Sequence, residues 1–220
     1  MRAIIFANGK LHNPAKVLSQ LREDDLVIAA DGGAQHCRDL DIHPALVIGD
    51  MDSISPALLA DLKNQETQIL VYPEDKDQTD LELALTYALR HQVDDVIFYG
   101  VLGGRLDLSL ANLMLLTRSE WEPLSLVVID EPDTAYLMRN HDTISILGNP
   151  GDIVSLIPLS EDVTDVSTQG LRWQLNHVDL PQGNTLSVSN ELVGTSAQVQ
   201  IGKGKMLLIH RDILTESKEV

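Results

Sequence analysis

The first 130 residues alternate short β-branched runs with longer stretches of helical periodicity, which restricts this part of the chain to stacked βαβ units around a parallel sheet. Residues 3–7, 26–30, 46–48, 69–72, 96–99 and 124–129 read as strands. Between them, residues 15–21, 34–40, 56–63, 80–91 and 108–118 read as helices, several opened by a proline or a capping side chain. The helix from Leu108 is apolar on most sides and is expected to be buried. After Asp130 the pattern changes to short alternating segments at 143–147, 152–157, 185–189, 197–201 and 206–210. These are expected to form an antiparallel sandwich or barrel. The expected organisation is α/β: a parallel-sheet, Rossmann-like domain over 1–135, then a smaller all-β domain over 136–220.

Charge narrows the partners. The chain carries 16 basic and 33 acidic side chains, a net charge of −17. Nucleic acid and anionic membrane surfaces both need a basic footprint, so neither is expected as a partner. A phosphate-bearing ligand would need a metal ion or a few well-placed cations. The single cysteine, Cys37, excludes an internal disulfide and lies in a helical pattern, where a small buried apolar residue is the ordinary role. No run approaches the ~18 apolar residues of a membrane span. A cytoplasmic location is expected.

The loops after the strands hold the chemistry. Gly49-Asp50-Met51-Asp52-Ser53 follows the run at 46–48, and an Asp-x-Asp in extended chain turns both carboxylates the same way. Two adjacent like charges call for a cation between them, and a hard divalent ion with oxygen ligands meets that need. The plainer reading is a polar turn with Ser53 or Ser55 capping the next helix. Asp31-Gly32-Gly33 follows the second strand, where paired glycines suit either close backbone approach to an anion or a tight turn. The stretch from Pro73 to Leu85 packs five acids and Lys76 into a turn feeding a helix. There Thr79 and Glu82 have capping-box spacing, and Asp80 falls in the first turn, where an acid also compensates the helix dipole. Gly103-Gly104-Arg105-Leu106-Asp107 sets an arginine, suited to phosphate oxygens, among glycines, with Asp107 as a helix N-cap or a further acid of the site. Asp77 adds one more acid to this strand-end group.

Taken together, Asp31-Gly-Gly, Gly49-Asp-Met-Asp-Ser53, Lys76-Asp-Gln-Thr-Asp-Leu-Glu82, Gly103-Gly-Arg-Leu-Asp107 and Leu110-Ala-Asn-Leu113 resemble the thiamin pyrophosphokinase family. Gly170-Leu-Arg-Trp173 and Ser187-Val-Ser-Asn190 resemble that family's thiamin-binding β domain. The resemblance implies Mg²⁺-dependent transfer of pyrophosphate from ATP to the thiamin hydroxyl, leaving AMP, in a homodimer with active sites at the subunit interface. It implies that Asp50, Asp52 and Asp80 bind metal, Arg105 holds phosphates and Asp107 positions the hydroxyl or accepts its proton. It also implies that Asp31, Gly32, Gly33, Lys76, Asp77 and Thr79 line the nucleotide site, and that Trp173, Ser187, Ser189 and Asn190 face thiamin. The chain departs from the family at Leu108, where members often carry histidine. Two other readings use the same residues: a phosphatase or phosphotransferase with Asp50 as covalent nucleophile, and a nucleotide-sensing module without turnover.

Overall fold

The computed structural model describes residues 1–216, and the chain divides into two compact units, Met1–Asp130 and Glu131–Val220. In the first unit the order is β1 (Arg2–Phe6), α1 (Pro14–Gln20), β2 (Leu26–Ala30), α2 (Gly33–Asp39), β3 (Leu46–Gly49), α3 (Pro56–Asn64), β4 (Gln68–Val71), α4 (Asp80–Arg90), β5 (Asp95–Tyr99), α5 (Leu106–Leu115) and β6 (Ser125–Asp130). The strands pair in parallel in the order β6-β5-β1-β2-β3-β4. From β1 the chain winds outward through β2, β3 and β4, then crosses back to β5 and β6 on the other side of β1. The order reverses between β1 and β5, the place where an open α/β sheet leaves a ligand crevice outside its strand ends.

Local chemistry sets where the helices begin. Asn13, Ser55 and Thr79 each accept a backbone NH three residues on, from Lys16, Leu58 and Glu82, at 3.2 Å. Such a cap contributes about 1 kcal/mol. Pro14 and Pro56 stand in the first turns of α1 and α3, where a missing NH costs nothing. β1, β2 and β3 are almost wholly buried, as a parallel sheet covered by helices requires. Phe6 and Tyr99 stack at 5.4 Å, joining β1 to β5. α4 packs on β1, β2 and β3 and buries Leu81, Ala84, Leu85 and Ala88. Each buried leucine there contributes roughly 1.5–3 kcal/mol.

α5 overturns the expectation of burial. None of its residues is buried, and Leu106, Leu110 and Met114 are 75, 55 and 48 % exposed. A helix apolar on most sides has no single stripe to press on a sheet, so much of its apolar surface stays in solvent in the single chain.

The second unit holds β7 (Asp133–Met138), β8 (Thr143–Leu147), β9 (Ile153–Pro158), β10 (Asp162–Gln169), β11 (Val178–Pro181), β12 (Asn190–Glu191), β13 (Ser196–Gln200), β14 (Met206–Arg211) and the short α6 (Ile213–Glu216). Its strands pair antiparallel in two sets, β12-β9-β14-β7 and β11-β10-β13-β8. Its core draws on both sets, with Val154, Leu156 and Leu208 from the first and Val163, Val199 and Ile146 from the second.

Two features differ from the sequence reading. Residues 185–189 are a turn, not a strand. Leu186 N donates to Asn184 Oδ1 at 2.7 Å, Val188 N donates to Thr185 O at 3.2 Å, and Ser189 takes a φ of 59°. The asparagine side chain thus supplies the bond that a strand partner would have given. β7, β10, β11 and β12 were not expected. In β10 the register slips between Val163 and Val166, with Asp165 at a φ of 58°, so the inward valines lie three apart and break the period of two.

Candidate active site

The crevice at the reversal of strand order is walled by the loops that leave β1 and β5. Ala7 N donates to Tyr99 O at 2.9 Å and Gly9 N to Gly100 O at 2.6 Å, holding the two loops together. A Cβ at Gly9 would run into the carbonyl oxygens of Gly100 and Leu102, so only glycine permits this approach. The cavity measures about 740 Å³, and Asp31, Asp52, Thr79, Asp80 and Arg105 line it.

Three acids come together through backbone geometry. Asp31 is 7 % exposed with a φ of 45°, and its NH donates to Ile48 O at 2.9 Å. This places its carboxyl beside the end of β3. Gly49, with a φ of 153°, makes room: a Cβ there would stand 2.9 Å from Asp31 Cβ and 3.1 Å from Asp80 Cγ. Met51 takes a φ of 70°, so the Asp-x-Asp is turned rather than extended. Asp50 Oδ1 accepts the Asp52 NH at 3.1 Å, and Ser53 Oγ donates to Asp52 Oδ1 at 2.9 Å. Carboxylate oxygens of Asp31, Asp50 and Asp52 lie within 4.8 Å of one another.

At an effective dielectric of ~20, a pair of unit charges at this separation repels by about 3.5 kcal/mol or more before salt screening. Lys76 offsets part of this. Its Nζ lies 3.3 Å from Asp50 Oδ2 and 3.1 Å from Asp80 Oδ1. The Asp52 NH, together with Lys76, holds the Asp50 carboxyl below its ordinary range. Burial pushes Asp80 above its ordinary value in spite of Lys76, and the charges on Asp50 and Asp31 add to the rise. Burial works against the charge on Lys76, but Asp80 and Asp50 outweigh it and raise the ammonium's pKa. Asp31 Oδ1 is buried with no hydrogen-bond partner. An orphaned buried carboxylate oxygen beside two more carboxylates is a donor set that fits a hard divalent cation.

The remaining candidates divide. Gly32 and Gly33 fit the turn against the end of β1, where a Cβ would strike the Asn8 side chain or the Phe6 carbonyl; neither lines the cavity. Asp77 is exposed and also stands outside it. Thr79 caps α4, while Glu82 turns to Gln78 and Arg118 at 3.1 and 2.6 Å. Arg105 reaches the cavity, yet its Nη2 pairs with Asp107 Oδ2 at 2.5 Å, and both side chains are mostly in solvent. Asp107 is held below its ordinary range by Arg105, which is raised in turn. Asp107 is therefore neither the N-cap of α5 nor a member of the acid cluster. The sequence reading assigned no role to Lys10 or Asn112 and offered Ser53 only as a helix cap, a place that Ser55 takes; all three line the cavity. Asn112 Nδ2 donates to Val101 O at 2.7 Å, tying α5 to the β5 loop.

In the second unit, the Asn190 side chain clasps Trp173. Its Oδ1 accepts the Trp173 NH at 3.1 Å, and its Nδ2 donates to Trp173 O at 2.6 Å. The Trp173 ring is 54 % exposed, with the Arg172 guanidinium 4.8 Å from its centroid. Ser189 is exposed, and its NH donates to Ser155 Oγ at 3.0 Å. Ser187 is 4 % exposed, and its hydroxyl donates to Leu156 O at 2.8 Å, which anchors the turn. Cys37 is buried and its thiol pushed up to about 12 by desolvation, the state of an inert packing residue.

Fold and site together define the class: a Rossmann-like unit with an acidic crevice at its switch point, followed in the chain by an antiparallel β unit. Residues 17–128 match the thiamin pyrophosphokinase catalytic domain, and residues 141–206 match the thiamin pyrophosphokinase vitamin B1 binding domain. The chain belongs to the thiamin pyrophosphokinase family. It is 31% identical over 187 residues to the thiamine pyrophosphokinase of Bacillus subtilis (strain 168), covering 85% of this chain and 87% of that protein. It is 26% identical over 212 residues to thiamine pyrophosphokinase 1 of Oryza sativa subsp. japonica, covering 86% of this chain and 79% of that protein. A crystal structure of the Bacillus subtilis thiamine pyrophosphokinase superposes with a TM-score of 0.85 at 30% identity, over 96% of this chain and 99% of that one. The yeast thiamin pyrophosphokinase structure shares the fold, with a TM-score of 0.75 at 16% identity over 97% of this chain and 87% of that one. No helix among the described residues is long and apolar enough to cross a membrane.

Proposed function

We propose that this chain is a thiamine diphosphokinase that binds ATP with Mg²⁺ in the acidic crevice and transfers a pyrophosphoryl group to the thiamin hydroxyl, releasing AMP. The observation that carries the proposal is the convergence of Asp31, Asp50 and Asp52 at the switch point, with Asp31 Oδ1 left orphaned and buried. These three carboxylates, with Asp80 beside them, would hold the ion. When bound, Mg²⁺ would neutralise charge on the phosphate oxygens of the donor.

The protein's own groups prepare the site. Lys76 tethers Asp50 to Asp80 and fixes both carboxyls before a ligand arrives. Arg105 trades its exposed partner Asp107 for a phosphate, an exchange between two solvated positions that leaves no buried charge behind. Asp107, freed in the same step, orients the thiamin hydroxyl. As an ordinary carboxylate is a weak base, orientation contributes more than proton abstraction. Leu108 stands in the cavity wall at the position where members of the family often carry histidine, so the proposed site works without an imidazole there.

Thiamin, an aromatic cation, is assigned to the surface around Trp173, Ser189 and Asn190, with Ser187 holding their turn in place. We assign the protein to a homodimer in which this surface completes the active site of the partner subunit. Support comes from α5, whose exposed leucines are surface that a second copy would cover. A cytoplasmic location agrees with the free, buried Cys37. Incubating the protein with thiamin and ATP, with Mg²⁺ or with excess chelator, tests the proposal by mass identification of products. Thiamin diphosphate is expected only with metal, and its formation at equal rate under chelator would refute the metal assignment.

A further inference from the structure

Lys10 stands apart from every other cation near the crevice. Lys76 lies between Asp50 and Asp80, and Arg105 lies on Asp107. Lys10 lines the same cavity as Asp31, Asp52 and Asp80, and among the described residues its ammonium has no ion pair or hydrogen bond. Its backbone is firmly placed. Gly9 just before it donates to Gly100 O at 2.6 Å, and the Gly9 carbonyl is held by His36 Nε2 at 2.7 Å. The stem leaves beside Gly103, where a Cβ would stand 3.8 Å from Lys10 Cβ, and Gly103 itself has a φ of 84°. A fixed root, a clear path and an unspent charge over a cavity walled by acids describe a tethered point charge waiting for an anion.

We propose that Lys10 contacts the phosphate chain of the nucleotide donor and so selects a polyphosphate over an uncharged nucleoside. This rests on the donor reading above. The acids and their cation would grip the chain from one wall of the cavity, and Lys10 would meet it from the other. No sequence motif marks this lysine; its role follows from the cavity it lines and from the pairing of all the cations around it.

The experiment is calorimetric titration of Mg²⁺·ATP, without thiamin, into the wild-type protein, Lys10→Met and Lys10→Arg at several salt concentrations. A charge-assisted contact to phosphate sets the expected rise in Kd for Lys10→Met at about tenfold or more. The dependence of Kd on salt should become shallower, since one screened attraction is gone. Lys10→Arg should recover most of the affinity. A merely structural role would leave the salt slope unchanged. Affinity of Lys10→Met within twofold of wild type, or a fall with an unaltered salt slope, would overturn the inference while leaving the donor reading intact. Failure of the wild-type protein to bind Mg²⁺·ATP at all would overturn both.

Discussion

Lys76 Nζ sits 3.3 Å from Asp50 Oδ2 although the two residues are 26 apart in the chain. The contact joins the loop after β3 to the turn before α4, and the same ammonium reaches Asp80. Lys76→Met should leave the raised Asp80 and the neighbouring acids uncompensated. The expected loss is about 1–3 kcal/mol in chelator, a fall of roughly 2–4 °C in thermal midpoint per kcal/mol. Saturating Mg²⁺ should recover more of the midpoint in the variant than in wild type, because the ion takes over the lost charge. An equal gain in both proteins would separate Lys76 from the metal site.

Asp52 is mostly in solvent, and its carboxylate makes no buried structural bond. Asp52→Asn should therefore leave the thermal midpoint within a degree or two of wild type, while turnover falls by roughly the 10²–10³ typical of losing one preorganised electrostatic group. Turnover within a few-fold of wild type would remove Asp52 from the site.

Acid stability has a source remote from the crevice. The Asp25 side chain is 1% exposed and takes two bonds from Arg2, at 2.7 and 2.6 Å, pinning the loop before β2 to β1. Burial pushes its pKa up, but Arg2 and the Arg22 NH outweigh that and hold it below the ordinary range. The folded protein then binds fewer protons at Asp25 than the unfolded chain. Its stabilisation is present above the unfolded value of about 3.9 and is lost as pH falls through the lower folded value. Asp25→Asn should lower the midpoint at neutral pH and flatten the acid side of the midpoint–pH curve. An acid limb identical to wild type would show that other carboxylates govern it.

The subunit arrangement is open to complementation. Asp50→Asn removes a ligand from the acidic crevice, and Asn190→Ala unclasps Trp173. Each chain alone should be nearly inactive. Mixed and refolded together, they should recover part of the activity if one active site draws on both subunits. No recovery, with mixed dimers demonstrated by mass, would mean that each chain is self-contained.

The α/β unit was legible because its strand and helix periods are long and its helix starts carry their own caps, at Asn13, Ser55 and Thr79. The acids at the strand ends were legible for the same reason: once β3 and β4 are placed, Asp50, Asp52 and Asp80 fall on one edge. Asp31 falls on the same edge by the same reasoning, but the close approach of its carboxylate to those of Asp50 and Asp52 was not readable, since it depends on its positive φ and on the missing Cβ of Gly49. The pairing of Arg105 with Asp107 was hidden too, because it depends on the extended backbone of Arg105 at the N-cap of α5, which turns its side chain back onto the first helical turn. In the β unit, the bulge at Asp165 and the Asn184 turn replace the period of two with local geometry, so the alternation does not mark β10 and falsely marks 185–189 as a strand. The exposure of α5 shows the limit of composition: an apolar helix declares that it will be covered, not by what.

The most direct measurement follows the phosphate. Supplied with thiamin, Mg²⁺ and ATP labelled at its β-phosphate, the protein should place the label in thiamin diphosphate and release unlabelled AMP. Label remaining in ADP, with thiamin monophosphate as the other product, would contradict pyrophosphoryl transfer.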